Sequence, residues 1–130
     1  MESLLVEGTT RTPSVNFNAE NGHFRIQGRS TPDDAIGFYV PLFEYAKKYN
    51  PAPEKKTEVH IYLEYFNTSS SKCLFDLFKI FSNIHDRGNE VSIAWYYVEG
   101  DDDMLETGQD FQSLTNLSFK MIIAPKISFE

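Results

Sequence analysis

The sequence lacks the features that mark secreted and membrane proteins. A single cysteine, Cys73, excludes an internal disulfide, and it falls in an apolar stretch where a buried thiol is expected. No apolar run approaches the length of a membrane-spanning helix, and the run at 4–6 is too short for the apolar part of a signal peptide. We therefore expect a cytoplasmic protein that does not enter a membrane.

Basic residues are also scarce. The chain has 12 Lys and Arg against 19 Asp and Glu, which gives a formal net charge of −7. Binding to a nucleic-acid backbone needs clustered positive charge, whereas the only adjacent basic pairs are at 47–48 and 55–56. The composition therefore argues against a nucleic-acid partner.

Motifs of catalysis and of metal binding are missing as well. His23, His60 and His85 show no metal-ligand spacing, and there is no HExxH motif or Cys-His cluster. The acidic segment Gly100-Asp101-Asp102-Asp103 lacks the alternation and the closing glutamate of a calcium loop. No G-x-S-x-G elbow and no Walker-type loop is present. We therefore expect a protein that is not an enzyme, with no catalytic residue, metal or cofactor.

The chain does contain enough apolar sequence for one folded domain, which we expect over residues 1–130. Hydrophobic residues make up 41% of its 130 residues. Apolar alternation, with a turn at Asn21-Gly22, predicts strands at 4–6, 14–18, 23–29, 59–66, 91–97 and 119–123. Helical spacing predicts helices from about 31 to 49, from the hydroxyl row at 68–71 through 74–84, and from 103 to about 114.

This order of elements predicts the fold class. Strands that alternate with helices imply parallel crossovers, and the N-terminal hairpin adds antiparallel pairing. The expected fold is therefore α/β, with a mixed central sheet, an N-terminal β-hairpin and about three helices mainly on one face.

Details of the first and last helices also follow from the pattern. Thr31, followed by a proline, is the predicted N-cap of the first helix. Asp103 with Glu106 has capping-box spacing and is the predicted N-cap of the last helix. The residues of the first helix expected to face the core at helical spacing are Ile36, Val40, Phe43 and Ala46.

The most informative segment is the hydroxyl row Thr68, Ser69, Ser70 and Ser71, which lies between a predicted strand and an apolar helix. The first N–H groups of a helix have no internal partner, and the helix dipole favours negative charge there. Spacing alone favours a simple helix cap for such a row, and the same row can also hold a phosphate or a free anion. It leaves these interpretations open.

The segment Asn67-Thr68-Ser69-Ser70-Ser71-Lys72, followed by Leu74 and Asp76-Leu77-Phe78, resembles the central motif of the SiaC-type regulatory phosphoproteins. These are small bacterial proteins with a STAS-like fold, similar to anti-sigma factor antagonists. The sequence departs from the family pattern at Asp33-Asp34, where a Glu-Asn pair is expected, and at Ser82, where an acidic residue is usual. Further matching stretches are Gly8-Thr9, Thr12-Pro13, Gly28-Arg29-Ser30-Thr31-Pro32, Phe38-Tyr39, Pro41-Leu42, Trp95-Tyr96-Tyr97 and Asp101-Asp102-Asp103-Met104, with Glu106, Gly108, Asp110 and Phe111.

The resemblance implies a phosphorylation-switched, non-enzymatic signalling protein. Thr68 is the implied phosphoacceptor, with Ser69 and Ser70 as alternatives, and the partner-binding segment runs from Asn67 to Lys72. A protein kinase and a PP2C-type phosphatase would act on Thr68. The unphosphorylated form would bind and activate a diguanylate cyclase, which raises cyclic di-GMP and promotes aggregation or biofilm.

Two alternative functions remain at this point. One is an anti-sigma factor antagonist, which would use the same switch toward a different partner. The other is a small-ligand-binding or enzymatic α/β domain that holds an anion at the helix N-terminus formed by residues 68–71.

Overall fold

The fold is a six-stranded mixed sheet with three helices. A computed structural model of the chain describes residues 1–125, so the last five residues of the predicted domain lie outside it. The strands lie in the order β1-β2-β3-β4-β5-β6; the first three pair antiparallel, and β3 to β6 pair parallel. The predicted α/β class is confirmed. The elements are β1 (Leu4–Val6), β2 (Ser14–Asn18), β3 (His23–Ser30), α1 (Ala35–Lys48), β4 (Lys56–Phe66), α2 (Thr68–Asp86), β5 (Glu90–Val98), α3 (Asp102–Leu114) and β6 (Ser118–Ala124).

The hairpin turn between β2 and β3 connects three strands. Gly22 has a φ of +76°, a conformation that favours glycine, and its N–H donates to the carbonyl of Asn18 at 3.0 Å. The carbonyl of Gly22 accepts from the N–H of Glu58 at 2.8 Å, which joins the turn to β4. The predicted Asn21-Gly22 turn therefore also sets where β3 and β4 begin to pair.

One face of the sheet carries the hydrophobic core. Inward residues of the strands share a single buried cluster with residues from α1, α2 and α3. The predicted apolar face of α2 is confirmed, and Cys73 is buried as expected. The buried residues of that face are Leu74, Leu77, Phe78, Phe81 and Ile84.

The predicted buried face of α1 is wrong for its first two positions. Ile36 is 69% exposed and Val40 is 36% exposed. The helix instead buries Tyr39, whose hydroxyl makes a hydrogen bond with Ser30 inside the core. Small or apolar residues at helical spacing from Tyr39 are buried with it. Both stripes have helical periodicity, so spacing did not distinguish them. The buried residues are Ala35, Tyr39, Leu42 and Ala46.

The predicted N-caps of α1 and α3 are also wrong. Asp34 caps α1 and Asp101 caps α3, and each side chain accepts from the backbone N–H three residues on, at 3.0 and 3.1 Å. The backbone N–H of Thr31 instead donates to the carbonyl of Arg11 at 2.7 Å. Both helix starts contain several capping residues in a row, so sequence alone does not select one.

The opposite face of the sheet carries no helix in the part of the chain that the structure describes. Its residues include His23 and Arg25 on β3, His60 on β4 and Tyr96 on β5, and they are mainly polar. We call this the open face. None of the helices within residues 1–125 is long and apolar enough to cross a membrane.

Candidate functional site

The hydroxyl row lies where β4 passes into α2. Asn67 is the N-cap of α2, with an extended backbone, and its side-chain oxygen accepts from the N–H of Ser70 at 2.9 Å. Its own backbone N–H donates to the carbonyl of Ser30 at 3.1 Å. Thr68 is the first helical residue, so the predicted start of the helix at the hydroxyl row is confirmed. The start of α2 is therefore attached to the C-terminal end of β3.

A chain of buried hydroxyl groups lies beneath this corner. The Tyr39 hydroxyl lies 2.8 Å from Ser30 Oγ, Ser30 Oγ donates to Ser70 Oγ at 2.8 Å, and Ser70 Oγ donates to the Ser30 carbonyl at 3.1 Å. Since the Ser30 proton goes to Ser70, Tyr39 is the donor to Ser30. Burial raises the pKa of Tyr39 to about 12, so this donor stays protonated. The chain connects α1, β3 and α2.

Ser70 does not belong to the exposed surface, which argues against its prediction as a partner contact and alternative acceptor. It is 0% exposed, and its hydroxyl both donates and accepts within the buried chain. The reason is helical spacing, because Ser70 lies on the same side of α2 as Cys73 and Leu74. Thr68, Ser69 and Lys72 are exposed, whereas Asn67 and Ser71 are half-buried.

The electrostatics around Thr68 suit a negative charge. The first turn of α2 contains no acidic residue, and the N–H groups of Thr68 and Ser69 have no partner within the helix. Lys72 is exposed one turn further and makes no salt bridge within residues 1–125, while Asp76 pairs with Lys79 at 3.4 Å. A phosphate on Thr68 would meet the positive end of the helix dipole and a free ammonium group.

Arg29 and Tyr65 lie beside this corner and were not predicted as site residues. Arg29 lies 5.2 Å from the centroid of the Tyr65 ring and 3.6 Å from the Glu64 carboxylate. Tyr65 is 50% exposed. The register of β3 and β4 shifts between Gly28 and Arg29, which pairs Arg29 with Tyr65. Such an irregularity rotates the end of a strand and has no clear sequence signal.

A second group of residues meets on the open face. His23, Glu58 and His60 place one possible ligand atom each within 4.8 Å of one another. These residues show no metal-ligand spacing along the sequence, and the sheet brings His23 and His60 together with Glu58. Their sequence separation hid the contact, which arises because β3 and β4 pair in parallel with His23 opposite Glu58. His85 lies elsewhere, with Nδ1 3.1 Å from the carbonyl of Asn89.

The His60 imidazole has a lowered pKa. Burial is the main cause, and the nearby Arg25 guanidinium lowers it further, while the Glu58 carboxylate acts in the opposite direction. His60 is therefore predominantly neutral at neutral pH.

Comparison with known proteins places this geometry in a family. The family model for SiaC family regulatory phosphoproteins matches residues 6–124. An uncharacterized protein of Pseudomonas aeruginosa strain UCBPP-PA14 is 24% identical over 119 residues, which are 92% of this chain and 94% of that protein.

Two crystal structures share the fold. Apo-SiaC from Pseudomonas aeruginosa has a TM-score of 0.84 at 24% identity, with 94% of this chain and 99% of that chain covered. SiaC from the same organism, in complex with the diguanylate cyclase SiaD that it activates, has a TM-score of 0.86 at 23% identity, with 93% and 99% covered. Because the family match extends over nearly the whole sequence, this chain belongs to the SiaC family of regulatory phosphoproteins.

Proposed function

We propose that this chain is a non-enzymatic switch whose unphosphorylated form binds and activates a diguanylate cyclase, and that phosphorylation of Thr68 ends this binding. The family is one of regulatory phosphoproteins, and the structurally similar SiaC was crystallised as the activator of a cyclase. The observation that carries the proposal is the exposed Thr68 hydroxyl at the first position of α2. The output would be raised cyclic di-GMP and therefore aggregation or biofilm.

Thr68 is the preferred acceptor within the hydroxyl row. A protein kinase must reach the hydroxyl, and a PP2C-type phosphatase must reach the phosphate. Ser70 is buried in the hydroxyl chain and Ser71 is half-buried. Ser69 is exposed and remains the alternative. Accessibility therefore reduces the three candidate acceptors, Thr68, Ser69 and Ser70, to the two adjacent ones that are exposed, and the family resemblance favours Thr68.

The proposed mechanism requires no refolding. A phosphate on Thr68 adds nearly two negative charges at a helix N-terminus, where the dipole and Lys72 favour them while the surface is hydrated. In a partner contact the same dianion would lose its water without gaining matched donors. An unpaired buried charge costs about 3–5 kcal/mol, which corresponds to a loss of affinity of about 100-fold to 4000-fold.

The geometry favours a protein partner over a free anion at this corner. The Ser70 hydroxyl donates inward, and the Ser70 N–H is already bonded to the Asn67 side chain. The groups left for a small ligand are the first two helical N–H groups, the exposed hydroxyls of Thr68 and Ser69 and the Lys72 ammonium group, all on an exposed surface, which is little to hold it. Among protein partners, the cyclase bound by the similar SiaC favours a cyclase over an anti-sigma factor.

The decisive experiment compares Thr68→Glu and Thr68→Ala with the unmodified protein. Binding to the diguanylate cyclase of the same organism is measured by calorimetry, and cyclic di-GMP production is measured in the reconstituted pair. Thr68→Glu is expected to lower affinity at least about 10-fold and to abolish activation, since a carboxylate carries part of the charge of a phosphate. Thr68→Ala is expected to activate normally and to resist the kinase.

Two controls separate position from charge. Ser113→Glu adds the same charge at an exposed serine of α3 and should leave affinity unchanged. Ser69→Glu moves the charge by one residue and tests whether the effect on binding is specific to position 68. Unchanged cyclase binding by Thr68→Glu, or a phosphate located outside Thr68 by peptide mapping, would contradict the proposal.

A further inference from the structure

We propose that the open face binds one divalent ion of the zinc class between His23, Glu58 and His60. The three side chains lie near the start of β3 and β4, whereas Thr68 follows the end of β4. The site is therefore separate from the hydroxyl corner. It would be a metal site of the regulatory protein itself.

Strand pairing brings the three side chains together. His23 pairs with Glu58 across β3 and β4, and Glu58 and His60 are two residues apart, so they project from the same face. The imidazole rings of His23 and His60 are stacked, with centroids 5.9 Å apart and planes 6° apart, and because an imidazole nitrogen binds a metal in its ring plane, the exposed His23 ring has to turn out of this stack to share an ion with His60. The backbone of two paired core strands thus fixes which residues are neighbours, and side-chain rotation sets the final positions of the ligand atoms.

The spacing of the ligand atoms is close to that of a zinc site. Bonds of about 2.0–2.2 Å in a tetrahedral site place neighbouring ligand atoms about 3.3 Å apart. His23 Nε2 lies 3.3 Å from Glu58 Oε2, and the ligand atoms of the three residues all lie within 4.8 Å. The side chains of His23 and Glu58 are 52% and 45% exposed, so rotation can close the remaining gap.

A hydrogen bond outside the ligand set orients His60. Its Nδ1 lies 3.0 Å from the Tyr96 hydroxyl. Metal-binding histidines usually hold their second ring nitrogen in such a bond, which fixes the ring and its tautomer. With Nδ1 engaged by Tyr96, Nε2 is the nitrogen that faces the ion.

The donor set selects the class of metal. Two imidazoles and one carboxylate suit Zn²⁺, Co²⁺ or Ni²⁺, whereas Mg²⁺ and Ca²⁺ prefer oxygen ligands alone. Three protein ligands leave a further position for water. A small cavity of about 90 Å³ adjoins the histidines, and its polar lining can bond that water. The other lining residues are Asn16, Asn18, Asn21 and Arg25.

Arg25 is the opposing charge in this lining. It pairs with His60 across the strands, and its guanidinium lies 3.5 Å from the Gln27 side-chain oxygen. A cation there weakens the binding of a second cation. Replacing Arg25 with the neutral Gln is therefore expected to tighten metal binding. If the metal bound elsewhere on the surface, this substitution would leave its affinity unchanged.

The test is a titration of the untagged full chain with ZnCl₂ by calorimetry and with CoCl₂ by visible absorption. The expected result is saturable binding of one equivalent, with the absorption bands of a low-coordinate cobalt site. His23→Gln and His60→Gln should each weaken Zn²⁺ binding at least 10-fold, and Arg25→Gln should strengthen it. His85→Gln, a histidine outside the cluster, is the matched control and should bind as the unmodified protein does.

Two results would overturn the proposal. One is the absence of Zn²⁺ binding by the unmodified chain, and the other is equal binding by His23→Gln. His23 is exposed on its strand, so its variant is expected to fold even if His60→Gln does not, and circular dichroism of each variant checks this point.

Discussion

Replacing Gly108 with alanine tests the packing of α3 on the sheet. A Cβ atom at Gly108 would lie 2.5 Å from Trp95 Cδ1 and 2.6 Å from Nε1, far inside ordinary contact distance. Trp95 is fully buried, with the Phe111 ring centroid 5.5 Å away and the Phe78 centroid 6.4 Å away. Its indole N–H donates to the carbonyl of Met104 at 2.9 Å. The added methyl group therefore has to displace either the indole or the helix.

Opposing effects determine the size of the change. Alanine in a helix interior is favoured over glycine by about 1 kcal/mol. Overpacking a core costs about 1–3 kcal/mol, and a buried indole N–H that loses its acceptor costs about 1–3 kcal/mol more. The cost of overpacking and of the lost hydrogen bond exceeds the gain in helix propensity, so the free energy of unfolding should fall by about 1–5 kcal/mol. For a domain of this size the melting temperature should fall by about 4–20 °C.

Urea denaturation followed by tryptophan fluorescence measures this directly, because Trp95 is the only tryptophan of the chain. Gly37→Ala is the matched control: Gly37 is also helical, but its Cβ would meet only the exposed carboxylate of Asp34, which can rotate. Rotation costs at most the N-cap hydrogen bond that this carboxylate accepts from Gly37, about 1 kcal/mol, and the higher helix propensity of alanine offsets it. That variant should stay within about 1 kcal/mol of the unmodified protein. A Gly108→Ala protein as stable as the original, or more stable, would refute the reasoning.

Two further predictions concern buried groups of α2. Ser70→Ala should lower the free energy of unfolding by about 1–3 kcal/mol, because it leaves the Ser30 hydroxyl without its acceptor; equal stability in urea would contradict the hydroxyl chain. Cys73 should resist iodoacetamide at pH 8 until the protein is unfolded, because burial, followed by the charges of Asp76 and Asp34, raises the pKa of its thiol. Rapid labelling of the folded protein would show that the thiol is accessible.

The elements with one dominant pattern could be predicted from the sequence. The apolar face of α2 has a single stripe, so its buried residues followed directly from helical spacing. The hairpin at Asn21-Gly22 and the parallel order of the later strands followed from turn chemistry and from alternation with helices. Thr68 came instead from the family resemblance, because spacing alone did not distinguish a cap from a phosphate site.

The predictions that proved wrong concern segments where several residues of the same kind could occupy the same structural position. In α1 two apolar stripes share the helical period, and a buried tyrosine hydroxyl decides between them. At both misjudged helix starts, neighbouring capping residues are nearly equivalent as caps. The His23–His60 contact and the outward turn of Tyr65 depend on strand register, which a single sequence does not contain.

The buried hydroxyl chain explains how one helix start can stabilise the fold and still leave Thr68 free for the proposed switch. Ser70 fixes the rotation of α2, and this rotation leaves Thr68, two residues earlier, on the exposed side. A negative charge at Thr68 stabilises the free helix by about 0.3–1 kcal/mol through the dipole. Inside a partner contact the same charge costs several kcal/mol if it is unpaired. Since the second term is larger and exists only in the complex, the proposed phosphorylation acts on binding while the fold of the free protein stays intact.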